Sequence, residues 1–141
     1  MLMSLMTKLR YVVLIDDNET TSFLNNRLLS RLDVAEEVLT FSRADEAFAE
    51  LFGEAAATGE ATDRLPELVF VDLKMPGVNG FEFLRMYSEL PALVQEKTVM
   101  AVLTTSMHAA DTARVAAYPN VEYLTKPLTE EKMQKLLQKR F

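Results

Sequence analysis

Residues 67–84 read ELVFVDLKMPGVNGFEFL, and this one stretch holds a strand, its terminus and the start of a helix. Leu68 to Val71 form a continuous apolar run of strand length, which suits a strand buried on both faces. Asp72 closes the run, and Met75-Pro76-Gly77 supplies turn chemistry. Beyond the turn, Phe81, Leu84 and Tyr87 recur at helical spacing. Outward from this unit the pattern repeats. Strand-length runs stand at YVVLI (11–15), VLTF (38–41), TVMAVLT (98–104) and VEYL (121–124). Helix-length segments at 19–32, 43–57, 80–90, 108–117 and 129–140 separate or follow them. In the first, Phe23, Leu24, Leu28 and Leu32 predict an apolar stripe with Asn25, Asn26, Arg27 and Arg31 mostly opposite it. Strand and helix alternate five times, which predicts an α/β fold with a doubly wound parallel sheet. Only 53–66, GEAAATGEATDRLP, reads as an optional connection and a mobile surface loop.

Composition narrows the function. A chain of 141 residues is the size of one domain, and 49% hydrophobic with 26% charged residues is ordinary for a globular protein. The absence of cysteine excludes a disulfide scaffold, a thiolate zinc site and a cysteine nucleophile. No run is long enough to insert in a membrane, and the start lacks a cleavage site, so a cytoplasmic location is expected. A net charge of −6 argues against direct binding of nucleic acid or an anionic membrane surface.

In a doubly wound sheet, ligands bind beyond the carboxyl ends of the strands. Those ends carry Asp16-Asp17, Asp72, Thr104-Thr105 and Lys126-Pro127. Two carboxylates about 4 Å apart repel by on the order of 4 kcal/mol at an effective dielectric of about 20. Three of them on one rim therefore recruit a cation or raise a pKa. An open, all-oxygen site suits Mg²⁺ or Mn²⁺. An aspartate can attack phosphorus to give an acyl phosphate, which Lys126 and the Thr104 hydroxyl could stabilise. Taken alone, Asp16-Asp17-Asn18 would equally suit a turn whose side chains cap the first helix.

Four pieces in order carry a family resemblance: VLIDDNE (13–19), VFVDLKMPGVNGFEFL (69–84), AVLTTS (101–106) and YLTKPL (123–128). Over roughly residues 9 to 140 the sequence resembles the receiver domain of two-component response regulators. The resemblance implies a flavodoxin-like (βα)5 fold with strand order 2-1-3-4-5. It implies Asp72 as phosphoacceptor, and Asp16, Asp17, Asp72 and the Lys74 backbone carbonyl around Mg²⁺ (or Mn²⁺). Thr104 matches the hydroxyl residue, Lys126 the pairing lysine before a cis proline bond, and Tyr123 the aromatic switch that turns inward. Lys74 and Ser106 occupy positions that resemble the family's lifetime-tuning sites. The implied partners are a sensor histidine kinase or phosphotransfer protein and a downstream docking protein. The docking surface would comprise segments 108–117, 121–124 and 129–140, where a homodimer could also form.

The expected organisation is an N-terminal tail over 1–8 and a receiver over 9–141 with no output domain. The expected role is a signalling switch, not an enzyme. A phosphate-independent docking module is the first competing reading. A phosphatase with an aspartyl nucleophile is the second, but it would need a second acid two residues after Asp72, where Lys74 stands. His108, the single histidine, is expected to be an exposed loop residue.

Overall fold

The computed structural model describes residues 8–141. Of the expected tail, residues 1–7 lie outside the described residues, and Lys8 pairs with Asp33 at 2.8 Å. The elements are β1 (Leu9–Ile15), α1 (Glu19–Leu32), β2 (Ala35–Phe41), α2 (Ala44–Thr58), β3 (Leu68–Val71) and α3 (Gly80–Ser88). They continue with α4 (Ala92–Gln95), β4 (Val99–Thr104), α5 (Ala109–Ala116), β5 (Val121–Thr125) and α6 (Glu130–Arg140). All strand pairings are parallel, in the order β2-β1-β3-β4-β5. Both the doubly wound sheet and the 2-1-3-4-5 order are therefore present.

Alternation along each strand builds two cores. Val13, Ile15, Val69, Val71, Met100 and Val102 face α2, α3, α4 and α5. Val12, Leu14, Leu68, Phe70, Ala101 and Leu103 face α1 and α6. The register aligns Phe41, Ile15, Val71, Val102 and Tyr123 in one row across the sheet. The strand-end acids stand just beyond that row. On the first face Phe52 is fully buried, with ring centroids 5.4 Å from Phe48 and 5.7 Å from Tyr87. Burial pushes the Tyr87 phenol up to about 12, while its hydroxyl donates to the carbonyls of Gln95 and Thr98.

Three details depart from expectation. On α1, Phe23 and Leu24 are 61% and 54% exposed, whereas Asn25 and Leu29 are buried. The buried face centres on Asn25 and Leu29, four apart, with Leu28 and Leu32 of the expected stripe packed against the same core. Residues 53–57 fall in both the expected helix 43–57 and the expected connection 53–66, and they are helix, because the alanine-rich run carries α2 on to Thr58. Gly59 ends it in the left-handed region at φ 75°, its N–H donating to the Ala55 carbonyl at 2.7 Å. In the remaining connection, Leu65 is buried and the Pro66 carbonyl accepts from Thr98 Oγ1 at 2.6 Å. The extra turn α4 buries Val94 against the core. Among the described residues no helix is long and apolar enough to cross a membrane.

At the edge strand β5, Glu122 accepts from Arg140 at 2.7 Å and Lys139 at 3.0 Å, fastening the end of α6. Partial burial opposes the Glu122 charge, and the two cations outweigh it, holding its pKa below the ordinary value of 4.5. A depressed carboxyl pKa stabilises the fold above the unfolded value, and the contribution disappears as pH falls through the folded value. Glu122→Gln should therefore cost about 1 kcal/mol at pH 7. The loss should vanish when unfolding is measured in acid below the carboxyl range; an equal loss at both pH values would contradict the assignment.

Candidate functional site

The site is set by backbone bonds that continue the ladder past the strand ends. Asp16 N–H donates to Phe41 O at 3.0 Å, Asp72 N–H to Ile15 O at 3.1 Å, and Lys126 N–H to Thr104 O at 2.8 Å. These bonds fix the ends of β2, β1 and β3 beside one another, and those of β4 and β5, at the carboxyl rim. Asp16 and Asp72 are nearly buried, and Asp17 is exposed. Carboxylate oxygens of Asp16, Asp17 and Asp72 lie within 4.8 Å of one another.

Lys126 answers that charge. Its Nζ donates to Asp16 Oδ2 at 2.6 Å and to Asp72 Oδ2 at 2.9 Å, with only 14% of the side chain exposed. Burial works against the ammonium, but the two carboxylates prevail and hold its pKa above the usual 10.5. The Lys126-Pro127 bond is cis. Lys132, from the first turn of α6, donates to the carbonyls of Thr125 at 2.6 Å and Pro127 at 2.9 Å, bracing both sides of Lys126. Asn18 does cap α1, accepting from Thr21 N–H at 2.9 Å, and Asp16 Oδ1 accepts from Asn18 N–H at 2.9 Å. The capping reading and the acidic site thus coexist, carried by different residues of the same turn.

Of the three hydroxyls over 104–106, Thr104, at the end of β4, is fully buried and Thr105 is exposed. Ser106 is a junction. Its N–H donates to Thr104 Oγ1 at 3.2 Å, and its carbonyl accepts from Tyr123 Oη at 2.7 Å. Its Oγ donates to Asp111 Oδ2 at 2.5 Å. The partly buried Tyr123 packs against the α2–α5 core. The same Asp111 oxygen lies 3.7 Å from Lys74 Nζ. The Ser106 hydroxyl, with Lys74, His108 and Arg114 nearby, holds the Asp111 carboxyl below its ordinary value. His108 is exposed and immediately precedes α5, as expected of a loop residue.

Asp16, Asp17, Asp72 and Lys126 are gathered here; Thr104 adjoins them through the Lys126 N–H bond to its carbonyl, and Tyr123 is joined to Thr104 through Ser106. The sequence reading missed Lys132 and Asp111. The register of a loop against a helix brings both in, and neither stands at a strand end.

This arrangement can bind a divalent cation through hard oxygen donors and present one paired carboxylate to an electrophile. The sequence profile of the response regulator receiver domain matches residues 12–138. The chain belongs to that family. A response regulatory protein of Shewanella oneidensis is 31% identical over 113 residues, covering 74% of this chain and 43% of the relative. The chain thus spans less than half the length of that curated relative. A two-component response regulator of Cytophaga hutchinsonii superposes with a TM-score of 0.80 at 27% identity, covering 95% of this chain and 98% of that one. A response regulator receiver protein of Dyadobacter fermentans gives a TM-score of 0.77 at 26% identity, with 94% and 98% covered. A chemotaxis protein of Vibrio cholerae gives 0.69 at 25% identity, with 94% and 98% covered.

Proposed function

We propose that this receiver accepts a phosphoryl group on Asp72 from a histidine kinase or a phosphotransfer protein. The observation that carries the reading is Asp72 itself: nearly buried, paired to Lys126 at 2.9 Å, and clustered with two further acids within 4.8 Å. In the transfer, an Asp72 carboxylate oxygen forms a bond to phosphorus, and the phosphorus–nitrogen bond to the donor histidine breaks. The imidazole leaves with the electron pair and takes up a proton.

The donor set fits Mg²⁺ or Mn²⁺: all oxygen, anionic and open to solvent through Asp17. Asp16, Asp17, Asp72 and the Lys74 carbonyl would hold it. Bound there, such an ion neutralises charge on the phosphoryl oxygens and leaves the remaining contacts to water. Lys126 neutralises one phosphoryl oxygen and keeps the acceptor carboxylate oriented. Thr104 is buried at the end of β4 and can donate its hydroxyl toward the phosphoryl group. Its present hydrogen bond accepts from Ser106 N–H and leaves that proton free for the purpose.

Output follows from the same junction. Thr104, Ser106 and Tyr123 link the acceptor site to α5 and β5, so phosphorylation biases a surface made of α5, β5 and α6 toward one docking state. A downstream protein, or a second copy of the receiver, docks on that surface. The chain acts as a switch, and no turnover of an external substrate is needed.

The test is incubation with acetyl phosphate and Mg²⁺ followed by intact-mass measurement. One phosphoryl addition is expected, and it should be absent without Mg²⁺ and in Asp72→Asn. No addition, with no beryllofluoride binding either, would overturn the reading in favour of a phosphate-independent docking module.

A further inference from the structure

The first turn of α6 holds a residue of the wrong sign for its place. Thr129 caps the helix, its Oγ1 accepting from Lys132 N–H at 3.2 Å, and a glutamate or glutamine at 132 would complete a capping box. α3 has that arrangement, made by Asn79 and Glu82. A lysine instead brings an ammonium to the positive end of the helix dipole, where it is unfavourable. The acids of the same turn do not hold it. Glu130 pairs with Arg31 at 3.7 Å and Glu131 with Lys135 at 3.8 Å, and among the described residues Lys132 has no ion pair. Its Nζ donates back to the Thr125 carbonyl at 2.6 Å and the Pro127 carbonyl at 2.9 Å, with Thr125 Oγ1 at 3.5 Å. These contacts occupy the three ammonium protons on the segment that carries Lys126. Departures from local helix rules of this kind concentrate at functional positions.

We propose that Lys132 is a positioning residue for the Lys126 ammonium: by tying the carbonyls on either side of Lys126 to α6, it keeps that ammonium between Asp16 and Asp72, where an arriving phosphoryl group meets it. The inference rests on the reading of Asp72 as phosphoacceptor. The Lys126 N–H donates to the Thr104 carbonyl at 2.8 Å, which fixes the segment where it leaves β5 but not beyond. Lys132 supplies the second hold, on one carbonyl before Lys126 and one after it. A lysine stem is long and flexible, so the reach of its ammonium depends on the backbone it leaves from. With that backbone held, Lys126 Nζ meets Asp16 Oδ2 at 2.6 Å and Asp72 Oδ2 at 2.9 Å at once. Let go, the segment frees Lys126 to follow one acid alone, and the charge that faces an incoming phosphoryl group is misplaced. Among the described residues Lys132 bonds to none of the three acids, so it acts on the acceptor through Lys126.

Lys132→Met keeps the stem's volume and removes the charge with its donors. Uptake from acetyl phosphate and Mg²⁺, followed by intact mass, should be about tenfold slower than in the wild type. Lys132→Arg, which keeps charged donors, should recover most of that rate. Mg²⁺ affinity is a readout that a loosened α6 alone would not move. Calorimetric titration of the unphosphorylated protein should show Mg²⁺ bound about threefold more tightly in Lys132→Met, the scale of one weakened ion pair, because Lys126 gives up part of its hold on the acids. In a Lys126→Met background the same substitution should leave Mg²⁺ affinity unchanged. Lys132→Gln, whose amide completes the capping box with Thr129 and so secures α6, should repeat the Lys132→Met pattern, and it takes that variant's place if methionine prevents folding. No uptake by the wild type would overturn the acceptor reading, while the Mg²⁺ titrations would still decide whether Lys132 places Lys126. Equal uptake in wild type and Lys132→Met would overturn the inference alone. So would slower uptake with unchanged Mg²⁺ affinity, which would mark Lys132 as merely structural. Tightening that persists without Lys126 would assign the effect to the charge of Lys132 itself, and it too would overturn the inference.

Discussion

Lys126→Met is expected to lower the unfolding free energy by about 3 kcal/mol, the lower end of what breaking a buried ion pair costs. The same change should abolish phosphoryl uptake. Two carboxylates, Asp16 and Asp72, take their hydrogen bonds at 2.6 Å and 2.9 Å from this one ammonium. Methionine keeps the stem's volume, so the loss is one of charge and donor rather than packing. Three acids within 4.8 Å then repel with no protein cation among them. The variant should therefore bind Mg²⁺ more tightly, and millimolar Mg²⁺ should raise its Tm by more than it raises that of the wild type. The pH dependence has a definite sign. A lysine whose pKa is raised on folding contributes fully below its ordinary 10.5 and loses that contribution only as pH rises through the raised value. The gap between wild type and variant should stay constant from about pH 6 to about pH 9. Equal stability of the two proteins, or a variant indifferent to Mg²⁺, would show that Lys126 does not neutralise the acidic cluster.

The site was legible because its residues obey a positional rule. Asp16, Asp72 and Thr104 each end or directly follow an apolar run, and the rule that ligands bind beyond strand termini places them together without any contact information. Lys126 follows the last strand by the same logic. Helix rotation was harder to read. Leu28 and Leu32 pack against the core as their spacing predicts, yet Phe23 and Leu24 are exposed while Asn25 and Leu29 are buried. Counting apolar residues weighs Phe23 heavily, whereas the fold tolerates an exposed aromatic and needs only enough burial to seat the helix. The far end of α2 reads both ways in the sequence, as helix over 43–57 and as connection over 53–66, because its alanines suit a permissive loop in composition while favouring helix in propensity. Four-residue α4 is too short for periodicity to register at all. Ser106 and Asp111 were the least visible pair. They are five residues apart across a loop-to-helix junction, so their hydrogen bond depends on the backbone between them and matches no helix or strand spacing.

Replacing Gly80 by alanine should impair both the fold and the acceptor, although Gly80 carries no chemistry. Gly80 opens α3, and its N–H donates to the Leu73 carbonyl at 3.1 Å, folding the turn after β3 back on itself. A Cβ built there would lie 2.3 Å from the Asp72 carbonyl oxygen and 2.6 Å from Leu73 Cα. Both are backbone atoms, so no side-chain rotation relieves the clash, and either α3 or the Asp72-Leu73 peptide has to move. Moving that peptide shifts the acceptor carboxylate away from Lys126 and from Asp16. Overpacking of this kind costs about 1–3 kcal/mol and occasionally more. The expected result is a lower Tm together with phosphoryl uptake reduced at least about tenfold, since misplacing a reacting group by about 1 Å can cost about a hundredfold in rate. Gly53→Ala provides the contrast. Gly53 sits inside α2 with nothing within 4 Å of the place a methyl would take, so alanine there should stabilise the protein by just under about 1 kcal/mol and leave uptake unchanged. If the two substitutions behaved alike, the close approach of α3 to the acceptor peptide would not be what holds Asp72 in place.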